Sequence, residues 1–145
     1  MLKEIMLFLH VLGAIGMGIY VLMPMLAGHF RKLSGAAQEG MAASLIVGGR
    51  VGQFALIVQL LTGGYLMSQA KYTVAWIVVI LVLFLVIGAL TGIVQKPIQT
   101  IAEASRESRD ASDAIARVRT LSILILILYL IIVWLMMDPW YASAS

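Results

Sequence analysis

The chain has no cysteine, which excludes structural disulfides, thiolate zinc sites, iron–sulfur clusters and the dithiol relays of quinone-linked disulfide enzymes. It is also poor in charge. Asp, Glu, Lys and Arg make up 12% of its 145 residues, against roughly 25% in an average soluble chain, so most of its surface must face something other than water. The net charge of +3 is small, and the cations lie beside apolar segments rather than in a block able to neutralise phosphates, so nucleic acid is not an expected partner. The apolar segments hold no Asp or Glu, and a proton-driven pump of the small multidrug type needs one there. Neither a nucleophile with base and orienting acid nor a metal-protease or phosphate-loop motif is present, which argues against a hydrolase.

What fills the chain instead is hydrophobic residues, 62% of the total, gathered in four runs. A helix needs about 20 apolar residues to cross a hydrocarbon core of ~30 Å with every backbone amide bonded internally. The runs at about 5–27, 44–67, 74–94 and 121–137 qualify, and they predict an all-α bundle of four transmembrane helices in a single membrane domain. The first run is too long for the apolar part of a cleaved leader and continues into His29, Phe30, Arg31 and Lys32, so it is expected to be retained.

Loop cations set the expected orientation. The loop at about 28–43 carries Arg31 and Lys32, with Arg50 just beyond it. The loop at about 95–120 carries Lys96, Arg106, Arg109, Arg117 and Arg119, and the other side has only Lys3 and Lys71. Positive residues stay inside, so both loops are expected in the cytoplasm and both termini outside, in a bacterial-type inner membrane. Tyr72, Trp76, Trp140 and Tyr141 then fall near the outer interface, where amphipathic rings favour the headgroup layer. The third loop is helix-compatible, with Arg106 and Asp110, Arg109 and Asp113, and Asp113 and Arg117 at four-residue spacing, and it is expected to extend its helices beyond the membrane. The short connection around 71–73 makes spans two and three a hairpin.

In lipid, helices associate through small residues that let backbones approach and through a few polar contacts. Gly13, Ala14, Gly16 and Gly18 in the first span and Gly48, Gly52, Ala55, Gln59 and Gly63 in the second predict one packed seam. Gly88 and Gly92 in the third suit either the bundle or a second copy of the chain. Gln53, Gln59, Thr62, Tyr65, Thr91, Gln95 and Tyr129 should face protein, because an unpaired amide or hydroxyl is costly in hydrocarbon.

His10 is the leading candidate for chemistry. Ionisable residues one or two turns inside a span are rare and are functional candidates by default. A neutral imidazole in an apolar bundle is a good axial ligand for haem iron, Gly13 and Ala14 one turn on leave room for a flat macrocycle, and Met17 continues the stripe. Gln59 and Tyr65 are the polar neighbours expected at the same site, either lining it or, in the structural reading, simply holding the imidazole by a hydrogen bond. His29 lies 19 positions on, about 28 Å along a helix, so it cannot share an iron with His10 in one chain. Met23, Met25 and His29 form a weak copper(I) candidate, since thioether and imidazole suit that ion, and Pro24 between them is expected to kink or end the first helix.

The run Leu9-His10-Val11-Leu12-Gly13-Ala14, Arg50, the run Leu60-Leu61-Thr62-Gly63-Gly64-Tyr65-Leu66 and Trp76 opening the third span resemble a family of small, uncharacterised predicted bacterial integral-membrane proteins. That family is similar in outline to the CopD-like copper-resistance and HemJ-like protoporphyrinogen-oxidase proteins. The resemblance covers all four spans. It implies that His10 matches the first-helix histidine associated with haem b in the HemJ-like group. The lysine that group carries in its third helix has no counterpart between Trp76 and Gln95, and no second intramembrane histidine accompanies His10, so neither the oxidase activity nor a copper site transfers.

Three readings therefore stand side by side. The first is a membrane protein holding haem b through His10, for electron transfer, sensing or haem handling. The second is a cofactor-free scaffold or accessory subunit that binds itself or another membrane protein through its glycine faces. The third is a small-molecule or copper permease, which needs Gln53, Gln59, Thr91 and Gln95 to converge on one cavity.

Overall fold

The computed structural model describes residues 1–137. Trp140 and Tyr141, expected at the outer interface, and Asp138-Pro139, expected to close the fourth span, lie outside the described residues. The chain forms α1 (Leu2–Gly16), α2 (Ile19–His29), a short 3-10 turn (Phe30–Lys32), α3 (Gly35–Ser68), α4 (Val74–Arg106) and α5 (Ser112–Met137). Four stretches are long and apolar enough to cross a membrane: Leu2–Lys32, Gly35–Ser68, Val74–Arg106 and Ser112–Met137. The all-α bundle of four spans is therefore established. Successive spans run antiparallel, so Met1, the 69–73 hairpin turn and Met137 share one end, here called the terminal end.

The packing is inverted relative to a soluble protein. Ile15, Phe54, Leu61 and Leu85 point outward, each at least 67% exposed, which suits lipid. The interior of α3 is a stripe of mostly small residues, Ala42, Leu45, Gly49, Gly52, Leu56 and Gly63, recurring at steps of three, four or seven positions. That period keeps one face toward the other helices, and small side chains let them close on it. Gly88 and Gly92 do not take part, since a side chain added at either would meet nothing within 4 Å. They face out of the bundle.

The first span is not one continuous helix. Pro24 lies inside α2, which runs on to His29, and the break comes earlier, at Met17-Gly18. There the amide of Gly18 turns to the Ile15 carbonyl at 2.9 Å and that of Tyr20 to the Met17 carbonyl at 3.0 Å, a tightened 3-10 arrangement. Gly16 and Gly18 flank the break, and each glycine costs a helix about 1 kcal/mol relative to alanine. The break redirects the span. α1 packs on α3, whereas α2 packs chiefly on α5, and the upper half of the span thus leans away from α5 at the terminal end.

Both ends are secured by polar contacts. At the terminal end the Trp76 indole donates to the Leu135 carbonyl at 3.2 Å and stacks on Tyr72 with centroids 4.5 Å apart. Trp76 is only 3% exposed. It is therefore an interhelical clamp rather than the headgroup-facing ring the sequence suggested, because its N–H reaches the Leu135 carbonyl, and the residue four positions on, Pro139, has no N–H to offer it. At the far end the Gln38 amide donates to the Phe30 and Leu33 carbonyls and accepts from Ser105 at 2.7 Å. Arg106 pairs with Glu39 at 3.0 Å and Arg109 with Glu107. Expected spacings across 106–113 are broken because α4 ends at Arg106 and α5 starts at Ser112.

That ending is a Schellman motif: Arg109 N–H bonds the Ala104 carbonyl and Ser108 N–H the Ser105 carbonyl. Ser108 occupies the left-handed position, with φ 55°, where a side chain is penalised and glycine is not. Ser108→Gly is expected to stabilise the protein by about 0.5–1 kcal/mol, read as a higher unfolding midpoint in detergent. Beside it, the Ser112 hydroxyl and then the Ser112 amide donate to Asp110 and hold its carboxyl below the usual carboxylate range. A lowered folded-state value means that this contribution is present above the ordinary carboxylate range and is lost as pH falls through the lowered value. Asp110→Ala is expected to flatten the acid side of the stability profile.

Candidate cofactor site

Where α1 leans away from α5 a cleft opens at the terminal end, with a volume of about 340 Å³ and walls drawn from α1, α3, α4 and α5. Its lining is almost wholly apolar, including Leu60, Ile80, Phe84 and Val133, with the thioethers of Met17, Met67, Met136 and Met137. Among the described residues three polar side chains line it: His10, Gln59 and Tyr129.

The floor is the break in the first span. Because Gly18 N–H has moved to Ile15, the Ala14 carbonyl loses its usual helical partner, and the Tyr129 hydroxyl donates to it at 2.9 Å. This bond holds α5 against α1 at the point where they diverge. Tyr129→Phe leaves that carbonyl unpaired in an apolar setting, and an expected loss of about 1 kcal/mol follows, measurable by unfolding in mixed micelles.

His10 lies across α3 with its ring over Gly63, where an added side chain would come within 3.3 Å of Cε1. Its Nδ1 is 2.9 Å from the Thr62 hydroxyl. That hydroxyl has one proton, and its shortest acceptor is the Val58 carbonyl at 2.7 Å. The proton is thus committed along α3, and Thr62 accepts from His10 Nδ1–H. This assigns the Nδ1–H tautomer and leaves Nε2 with a free lone pair. Histidines that bind metals have the same arrangement, in which the distant ring nitrogen donates to a fixed acceptor and so sets ring orientation and basicity.

Of the residues expected here, His10, Ala14, Met17 and Gln59 do line one cleft. Gly13 stands behind it, where an added side chain would come 3.3 Å from Gln59 Cγ and 3.4 Å from the Ala55 carbonyl. Tyr65 is not in the lining, and Thr62 takes the histidine-bonding place proposed for Tyr65 or Gln59. Gln59 Oε1 is buried without a hydrogen-bond partner. The roles of Thr62, Gly63, Phe84 and the α5 methionines depend on which helices meet, so spacing along one span does not reveal them.

The remaining candidates are scattered. Met23 is fully buried and Met25 is 66% exposed; they point to opposite sides of α2 and do not converge on one ion. His29 bonds the Met25 carbonyl at 2.9 Å at the exposed far end. Among the described residues no three His, Cys, Asp or Glu side chains group as a metal site. Gln59 belongs to the cleft, while Gln95 packs against Gly49, ten positions away on α3 and so ~15 Å along its axis. The polar convergence that a permease needs is not present.

No curated protein and no solved structure matches the chain. A family whose members are described as "Predicted integral membrane protein (DUF2269)" matches residues 4–138. That match spans all four helices and every residue of the cleft, and the chain therefore belongs to this family of integral membrane proteins.

Proposed function

We propose that this multi-pass membrane protein binds haem b in the cleft, where His10 Nε2 would hold the iron. The observation that supports the reading is the Thr62 bond to Nδ1, which leaves Nε2 with a lone pair on a histidine lining a largely apolar cleft. The residues present fit the group. An imidazole and four thioethers are donor types that haem proteins use, and Gly63 and Gly64 supply a side-chain-free wall. When bound, haem supplies one-electron chemistry at iron. His10 would hold the group, Thr62 would fix the imidazole's tautomer, and the apolar wall would exclude water.

Orientation follows from charge. Only Lys3 and Lys71 stand at the terminal end, against Arg31, Lys32, Lys96, Arg106, Arg109, Arg117 and Arg119 at the other. The cleft then lies in the outer half of a bacterial-type cytoplasmic membrane, with both termini outside, suited to electron transfer or haem handling on that side.

Haem content of the protein purified from haem-supplied cells tests the reading. Haem b nearly equimolar with the chain is expected, and a colourless protein from such cells would overturn it.

A further inference from the structure

α5 changes character after Thr120. Its first turns hold Asp113, Arg117 and Arg119, and from Leu121 onward the helix is apolar apart from Ser122, Tyr129 and Trp134. A shallow groove of about 410 Å³ straddles that boundary, lined by Ala116, Arg117, Thr120 and Leu121. Unlike the cleft, it lies on the exposed surface of one helix, at the far end of the bundle.

Both polar side chains of the groove are uncommitted. The four-residue spacing of Asp113 and Arg117 favours an ion pair, yet the two do not pair, and among the described residues Arg117 has no hydrogen-bond partner either. Thr120 is the second. Ser44, Thr62, Thr100 and Ser122 each give their proton to the carbonyl four positions back in their own helix, the usual local outlet for a hydroxyl inside a helix. Thr120 does not bond the Ala116 carbonyl and makes no other hydrogen bond among the described residues.

A guanidinium with five donors, and a hydroxyl three positions or ~4.5 Å deeper along the axis, suit the oxygens of one phosphate. Below them the same face of the helix continues through Leu124 and Ile131, which are 44% and 43% exposed. A ligand that fits both parts needs a phosphate head and an apolar tail, in that order. The neighbouring charge sets the sign of the head. Arg31 and Lys32, on the 3-10 turn that packs against α5, and Arg119 are exposed and have no carboxylate partner among the described residues. A headgroup that carries its own cation is disfavoured in that field, and one of net negative charge is favoured.

We infer that the groove holds one anionic phospholipid, with its phosphate on Arg117 and Thr120 and an acyl chain along Leu121, Leu124 and Ile131. Side chains on α5 incline toward its N-terminus, so Arg117 leans toward the polar layer and meets the phosphate there. The bound lipid sets the depth at which α5 starts its crossing.

The test uses the full chain, stripped of lipid, in micelles of a neutral detergent. Phosphatidylglycerol is expected to raise the unfolding midpoint by several degrees and phosphatidylcholine by much less. Arg117→Gln should abolish most of that difference and Thr120→Val should weaken the apparent affinity a few-fold, while Arg109→Gln, a change outside the groove, leaves the difference in place. Equal gains from the two lipids, a difference that survives Arg117→Gln, an equal loss with Arg109→Gln, or the same gain from inorganic phosphate alone would each overturn the inference. Where a variant fails to fold, native mass spectrometry of the unmodified protein decides: one phosphatidylglycerol retained per chain in preference to phosphatidylcholine supports the site, and no preference refutes it.

Discussion

Thr62→Val should weaken haem retention about 10–100-fold, the usual cost of removing the outer partner of a metal-ligating histidine, while Thr62→Ser should stay within a few-fold of the unmodified protein. The valine keeps the shape of threonine but offers no acceptor to Nδ1–H. The imidazole is then free to turn, or to move its proton to Nε2 and lose the lone pair that binds iron. The helix itself changes little, since only the bond from Thr62 to the Val58 carbonyl goes with it, worth about 1 kcal/mol. Haem titration of the three proteins, with circular dichroism to confirm an intact bundle, separates the effects. Equal affinity in all three would mean that the tautomer argument has no bearing on the site.

Gly52→Val is expected to be the most damaging single change in the membrane interior. The added side chain would occupy the place of the fully buried Tyr20 phenol, and overpacking of that kind costs about 1–3 kcal/mol. Tyr20 has no free space to swing into, because its side chain is fully buried and Thr91 stands beside its hydroxyl. Gly88→Ala and Gly92→Ala are the matched controls: both positions open outward, and a change within about 0.5 kcal/mol is expected. Unfolding midpoints of the three variants in one detergent check the contrast. Combining Gly52→Ala with Tyr20→Leu should recover part of the loss, because the shorter side chain vacates the space.

The spans were legible because lipid imposes a length and an apolar composition that few other constraints mimic, and His10 stood out because an ionisable group in such a run needs a reason. The small-residue faces of spans one and two were likewise readable, since a glycine every three or four positions has little use unless a neighbour approaches. The partner of His10 was not. Register between two helices is a tertiary property, and the choice among Gln59, Thr62 and Tyr65 depends on it. Tyr65 lies two positions past Gly63 and so ~200° around α3, off the stripe that meets α1. The break was masked by Pro24, the stronger local signal, although the preceding glycines were the weaker helix. Trp76 was misplaced because aromatic residues near a span's end usually seek the headgroups, and only the meeting of α4 with α5 supplies the Leu135 carbonyl. The methionines of α5 reach the cleft because α1 leans away, and no periodicity in the chain encodes that.

The most direct test of the account is a reduced-minus-oxidised absorption spectrum of the detergent-purified protein, expressed with ample haem, beside the same protein carrying His10→Ala. The account predicts Soret and alpha bands of haem b in the first and their loss in the second, with the bundle still folded. Bands that persist without the imidazole, or a haem-replete protein that shows none, would contradict His10 as the iron ligand.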